Sequence, residues 1–289
     1  MVLLHALLER GYKQLVVCHL NHRLRGRESQ ADAKLVEKTA AKLGLKCRME
    51  SVHVAAMAKK RKLSLETAAR QARQEFFGRC ASEERCRTLF LAHHADDQVE
   101  TVLMNVLRGS GLHGLGGMRQ VSQFHLPGRT QPLTLVRPFL ECWRDDLRRI
   151  ATGQGIAFRD DASNASSEHL RNRLRHQLIP EASRVMLRDV RPALLRLSIS
   201  SQADDDFLQQ AAAEFPISGS LATAPLLLAA PAIQRRVVHA WLTQHGIGSV
   251  SFELVERVRA LLPPTSQPAK CNLPGGKFAR RRAGVLFLE

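Results

Sequence analysis

Residues 92–117 read A-H-H-A-D-D-Q-V-E-T-V-L-M-N-V-L-R-G-S-G-L-H-G-L-G-G. They follow the apolar run Thr88-Leu89-Phe90-Leu91-Ala92, of the kind that fills a buried parallel strand and is expected at the centre of its sheet. Two histidines and two carboxylates then leave the strand end, where an α/β sheet normally places its site. A helix should follow, because Val99, Val102, Leu103, Val106 and Leu107 recur at helical spacing. On it Asp96 and Glu100 are four apart and Asp97 and Glu100 three apart, so acidic groups share a face. A glycine-studded loop, Gly109 to Gly117, closes the segment with backbone that can approach a ligand closely. Two plainer readings of the cluster stay open. It could be a helix-start cap with solvated charges, or part of a metal-dependent phosphohydrolase using His and Asp ligands.

Outward from this stretch, helices and strands alternate. Val2–Leu8 reads as a helix, and Leu15–Leu20 as a strand ending in His19-Leu20-Asn21-His22. Ser29 is the expected cap of a helix to Leu43, closed by Gly44. Residues 45–54 alternate like a strand, and Ser64 should cap a helix through about Phe77. Residues 132–138 are extended, 141–154 form an amphipathic helix, 183–214 are helical with few breakers, and 216–224 read as a linker. Alternation of this kind implies an α/β class with a mostly parallel sheet and crossover helices.

Composition narrows the function. The 289 residues are enough for one large domain and a smaller one. A formal charge of +16 and a pI near 10.5 point to a polyanionic partner, with nucleic acid favoured. Arg23, Arg25 and Arg27 form a basic loop and Lys59–Lys62 a basic run; both could track phosphates, although such runs are often merely solvated. Aromatics make up 5% of the chain, so base stacking is not a widespread strategy. No apolar stretch has the length of a membrane span and the start is no signal peptide, so a cytoplasmic location without membrane contact is expected. The six cysteines contain no C-x-x-C pair and read as packing residues.

Four further segments complete a pattern: His19-Leu20-Asn21-His22-Arg23-Leu24-Arg25-Gly26; Ser64-x-Glu66-x-x-Ala69-Arg70-x-x-Arg73; Arg137-Pro138-Phe139-Leu140; and Asp160-Asp161-Ala162-Ser163-Asn164 followed by Arg171-Asn172-Arg173-Leu174-Arg175-His176. Together with the His-His-x-Asp-Asp-x-x-Glu-Thr and Arg-Gly-Ser-Gly-Leu-x-Gly-Leu stretches, in this order, they resemble the tRNA-isoleucine lysidine synthetases. The resemblance implies a three-layer, parallel-sheet N-type ATP pyrophosphatase domain over 1–180, a long helix or linker over 181–216, and a small helical or mixed tRNA-binding domain over 217–289. It implies adenylation of a cytidine in an isoleucine tRNA with a CAU anticodon, followed by displacement of AMP by L-lysine, with ATP and Mg2+ required and a homodimer possible. By that resemblance His94, Asp96, Asp97 and Glu100 are catalytic. Asp97 and Glu100 would hold the lysine ammonium groups, Asp96 would share that role or bind magnesium, and His94 would take a proton. His19, Asn21, His22, Arg70, Arg73, Gly109 and Gly111 would bind the nucleotide. Arg108, Arg137, Arg171, Asn172 and Arg175 would contact tRNA.

One departure bears on activity. The family's Ser-Gly-Gly-x-Asp-Ser loop, which cradles phosphates on backbone N–H groups, occurs nowhere in the sequence, and Val2-Leu3-Leu4-His5 matches the helix that follows it. The expectation is that this loop and its strand precede Met1, or that the chain is a truncated product which binds tRNA and turns over ATP poorly. Gln74 stands where the family usually has a tyrosine. Two other readings remain beside the ligase: a binding-only tRNA homologue, and a related tRNA thiolase, which would need the paired cysteines that are absent.

Overall fold

The computed structural model describes residues 1–24, 26–125, 131–159 and 170–289. Elements follow in the order α1 (Val2–Glu9), β1 (Val16–Asn21), α2 (Arg27–Lys42), β2 (Lys46–Ser51), α3 (Val54–Arg61), α4 (Leu65–Glu83), β3 (Thr88–Phe90) and α5 (Ala95–Leu107). Then come α6 (Leu112–Leu115), β4 (Val121–Phe124), β5 (Leu133–Val136), α7 (Arg144–Gly153), α8 (Leu170–Arg173), a π-helical turn (Leu174–Leu178), α9 (Ile179–Val185) and α10 (Arg191–Ala213). The chain ends with β6 (Ser220–Ala222), α11 (Thr223–Leu228), α12 (Pro231–Gln244), α13 (Phe252–Arg259), β7 (Lys270–Asn272), β8 (Phe278–Arg282) and β9 (Val285–Leu288). Two compact units result: Met1–Ser110 with Gly117–Ser198, and Gly111–Gly116 with Ile199–Glu289. No helix among the described residues is long and apolar enough to cross a membrane.

The first unit is α/β, and its pairing is mostly parallel. β1 lies parallel to β2, with His19 opposite Met49 and Asn21 opposite Ser51. β3 lies parallel to β5, and β4 adds antiparallel to β5. β3 is therefore the edge of the three-stranded sheet β3-β5-β4, not the centre expected from its apolar run. Its outer side and that of β1 line one cavity of about 750 Å3, walled by Val16, Val17, Leu89, Phe90, Leu3 and Leu7 among others. Thr88 is exposed and Leu89 and Phe90 are only half-buried against this cavity, so the apolar run reported neither full burial nor the pairing.

Several boundaries differ for local reasons. α2 begins at Arg27 after Gly26, and Ser29, expected as its cap, is buried inside its first turn. There its carbonyl accepts from Asn21 Nδ2 (3.3 Å). The strand expected through Val54 stops at Ser51, and α3 begins on the fully buried Val54. Ser64 does cap α4, accepting from the Thr67 N–H at 3.2 Å, but that helix continues to Glu83 on the buried face Ala68, Ala72, Phe76 and Cys80. The long helix expected over 183–214 is broken between α9 and α10, where Leu187 takes φ +52°. Part of the expected 216–224 linker is a strand, β6.

The second unit packs α11, α12 and α13 with the antiparallel sheet β6-β9-β8-β7. Its core holds Trp241, Leu242, Val237, Val258, Leu226 and Leu286, each at most 1% exposed. Gly111–Gly116 folds with this unit. His113 Nδ1 lies 3.0 Å from Asp205 Oδ2, and Gln202 Nε2 donates to the Gly116 carbonyl at 2.6 Å.

Candidate active site

The site of the first unit is organised by the start of α5. His94 is its N-cap in extended conformation, and its backbone N–H donates to Asp97 Oδ2 at 3.0 Å. The His94 ring spans the two aspartates, with Nδ1 3.5 Å from Asp96 and Nε2 3.5 Å from Asp97. Glu100, one turn further on, is 1% exposed. Burial pushes its carboxyl above the ordinary range, and Arg175 opposes that shift. Arg175 Nε donates to Glu100 Oε1 at 2.6 Å, and its Nη2 stands 3.6 Å from Asp97 Oδ1. The acidic helix face read from the sequence is therefore already occupied by a guanidinium.

Asp96 faces a different set of partners. Its Oδ2 accepts from the Arg144 backbone N–H at 3.0 Å, which ties α5 to the start of α7, and its Oδ1 accepts from Arg191 Nη1 at 3.1 Å. Arg191 is fixed in turn by Asp189 and lies over the Trp143 ring, 5.4 Å from its centroid. Both Asp96 oxygens are thus committed, and no group of three His, Cys, Asp or Glu among the described residues is placed to hold a metal ion.

Beside the acids lies a cationic cluster. Arg73 is reached by solvent, yet protein surrounds it closely enough that desolvation, followed by repulsion from Arg171 and Arg70, lowers its pKa. Arg70 on α4 and Arg171 on α8 thus both repel Arg73, and an anion seated among them would relieve that repulsion. His93 sits among them. Burial lowers its pKa first, Asp97 opposes, and Arg137, Arg171 and Arg73 lower it further; its Nδ1 is buried without a hydrogen-bond partner. Arg137 is held by donating from Nη1 to the Arg119 carbonyl (2.9 Å) and to Ser122 Oγ (3.0 Å), while its Nε is buried without a partner.

The structure thus brings Asp97, Glu100, Arg70, Arg73, Arg137, Arg171 and Arg175 into one neighbourhood with His93. Other anticipated residues are placed differently. Asn21 is buried and shapes the loop after β1, accepting from the Arg23 N–H at 2.8 Å. His19 borders the cavity between β1 and β3, and burial lowers its pKa. His22 is half-buried just beyond β1, and Asn172 is half-buried within α8. Arg108 is the exposed C-cap of α5; Gly109 takes φ +71° to end that helix, and Gly111 caps α6 in the second unit. Arg25 and the 160–164 motif lie outside the described residues.

Two residues of this neighbourhood carry no sequence signal as functional. Gln98 clamps the return of the glycine loop, accepting from the Met118 N–H at 2.8 Å and donating to the Met118 carbonyl at 3.0 Å. Arg191 reads as an ordinary helix-start arginine. The cysteines are packing residues in the first unit: Cys18, hydrogen-bonded to Cys80, is pushed up to about 12 by burial and by neighbouring thiols, so it is no thiolate at neutral pH.

A parallel α/β unit with an acidic helix start facing an arginine cluster has counterparts among known proteins. Residues 1–182 match the PP-loop domain, and the chain belongs to the PP-loop family. Residues 221–287 match the TilS substrate binding domain. The resemblance drawn from the motifs holds across nearly the whole chain. A tRNA(Ile)-lysidine synthase of Geobacter sulfurreducens is 34% identical over 297 residues, covering 95% of this chain and 61% of the relative. That of Solibacter usitatus is 31% identical, with 99% and 64% covered, and that of Bacillus subtilis 35% identical, with 72% and 43% covered. The chain spans about three fifths of the length of the first two relatives and less of the third. A solved U34-tRNA thiolase, NcsA from Methanococcus maripaludis, shares the fold at TM-score 0.52 and 14% identity, covering 70% of this chain and 67% of that one.

Proposed function

We propose that the chain acts in tRNA(Ile)-lysidine synthesis: ATP adenylates a cytidine of the isoleucine tRNA with a CAU anticodon, and L-lysine displaces AMP. The observation that carries this reading is the adjacency of two opposed sites in one unit. Asp97 and Glu100 suit a cationic substrate, while Arg70, Arg73 and Arg171 suit phosphate groups. The reaction needs both, because an amine must meet a phosphate-activated carbon. As pyrophosphate leaves, negative charge grows on its oxygens, and the guanidiniums of Arg70, Arg73 and Arg171 would stabilise it. When the lysine amine attacks, its nitrogen must lose a proton. His93, kept neutral by burial and the surrounding arginines, would supply an acceptor there, as would His94, whose ring Nδ1 is likewise buried without a hydrogen-bond partner. ATP brings the leaving group and the adenylate; a magnesium ion carried on its phosphates would need only one or two carboxylates, which Asp96 or Asp97 would supply, and would neutralise phosphate charge there.

The thiolase alternative is disfavoured by the cysteines, which contain no C-x-x-C pair and whose Cys18 thiol is held neutral. The test is incorporation of labelled lysine into isoleucine tRNA with ATP present. Asp97→Asn should cut incorporation at least tenfold while tRNA binding stays within about twofold, a loss of roughly 1.4 kcal/mol or more in the reaction alone. Tight tRNA binding with no incorporation by a protein carrying the Ser-Gly-Gly-x-Asp-Ser loop ahead of Val2 would favour the binding-only reading.

A further inference from the structure

Glu100 is almost wholly buried, and its carboxylate is bound by Arg175 Nε at 2.6 Å, with the same guanidinium reaching toward Asp97 at 3.6 Å. Arg175 takes Glu100 Oε1 and the glutamate side chain is left 2% exposed. An incoming ammonium group therefore competes with this guanidinium for the carboxylate. Arg175 lies on the π-helical turn Leu174–Leu178, and Arg171 lies four residues earlier on the adjoining α8. π-helical turns are rare, hold one residue more than the α-helical register, and occur often at functional sites. One short segment therefore carries a cation seated on the carboxylates and a second cation in the cluster of Arg70 and Arg73.

We propose that Arg175 is an internal cation that closes the ammonium site, and that a phosphate-bearing ligand seated on Arg70, Arg73 and Arg171 opens it by drawing residues 170–178 toward the anion. The consequence is ordered binding: phosphate substrate first, amine second. The device suits a reaction in which the amine is needed only after the carbon has been activated. A ligand shifts such an equilibrium only by its differential affinity for the two states. The anion gains Arg171 in the open state, and the amine gains Glu100 and Asp97 there.

The inference rests on the reading of Asp97 and Glu100 as an ammonium site, so two amines are compared, L-lysine and n-butylammonium. Calorimetry with the full 289-residue protein at pH 8 should show each binding weakly alone and about tenfold more tightly with inorganic pyrophosphate present. Hydrogen exchange of residues 170–178 should change on adding pyrophosphate. Arg175→Gln should bind amine about tenfold more tightly without pyrophosphate and lose most of the pyrophosphate effect. Arg175→Lys keeps the charge but not the two-pronged geometry, and should fall between the two; it serves if the glutamine variant does not fold. Tightening for n-butylammonium but not L-lysine would support the gate and overturn the lysine assignment. Amine affinity indifferent to pyrophosphate and unchanged or weakened by either substitution would overturn the gate. So would absence of amine binding under every condition.

Discussion

Gly117 shows how one position ties the glycine loop to the acidic helix. It takes φ +62°, and a Cβ there would stand 2.9 Å from both Gln98 amide heteroatoms. Gln98 is the side chain that holds Met118 at both its N–H and its carbonyl. Gly117→Ala should therefore cost more than the roughly 1–2 kcal/mol of the left-handed backbone alone. Gly155→Ala is the control, since φ is +63° there with open space around the added carbon. Urea denaturation of both variants measures the difference; equal losses would mean that Gln98 moves aside freely. Single residues also set the limit of what the sequence reveals. Helical spacing made the shared face of Asp97 and Glu100 legible, and Arg175 bridges the two, whereas Asp96 turns to Arg144 and Arg191. His94 was read as the proton acceptor and His93 drew no reading, since the surroundings of His93 come from Arg73, Arg137 and Arg171, three segments far apart in the chain. Nothing local announces that convergence.

Elements were readable where their causes are local. Ser64 caps α4 as its hydroxyl and the following Glu66 suggest, and Gly44 closes α2 with φ +66°. Pairing was not readable, because the edge position of β3 depends on which strands reach it, and its apolar run is not even fully buried. The same distinction gives a test in the second unit. Glu256 on α13 accepts from Arg235 on α12 (2.8 Å) and from Arg259 on its own helix (2.7 Å). Those bonds hold its carboxyl down at about 2. A depressed acid stabilises the fold above its unfolded pKa of about 4.5, and the contribution is lost as pH falls from there through about 2. Because all three side chains are partly exposed, solvent screening limits the contribution to about 1 kcal/mol. Thermal unfolding of the second unit, followed through Trp241, should fall over that window and fall less in Glu256→Gln. An unchanged pH profile in the variant would remove the ion pairs from the account.

At the scale of the whole molecule, the excess of 16 positive charges is distributed over two units that use it differently. In the first, Arg175 and Arg191 are spent on carboxylates, while Arg70 and Arg171 both repel Arg73. In the second, Arg281 is spent on the carbonyls of Leu261, Pro264 and Ser266, whereas Arg282 at the end of β8 is exposed. A net charge therefore overstates the number of cations open to a phosphate backbone. If tRNA is the partner, its affinity should fall linearly with the logarithm of salt concentration, with a slope of roughly 0.7–0.9 per phosphate neutralised. Arg171→Gln and Arg282→Gln should each reduce that slope by about one if both units grip the tRNA. Arg281→Gln should leave the slope unchanged while lowering stability, because its guanidinium is engaged within the fold. Filter-binding titrations at several salt concentrations separate these cases. A slope altered by Arg171→Gln and untouched by Arg282→Gln would confine the electrostatic grip at these positions to the first unit, leaving the second to recognise tRNA by shape or by neutral contacts.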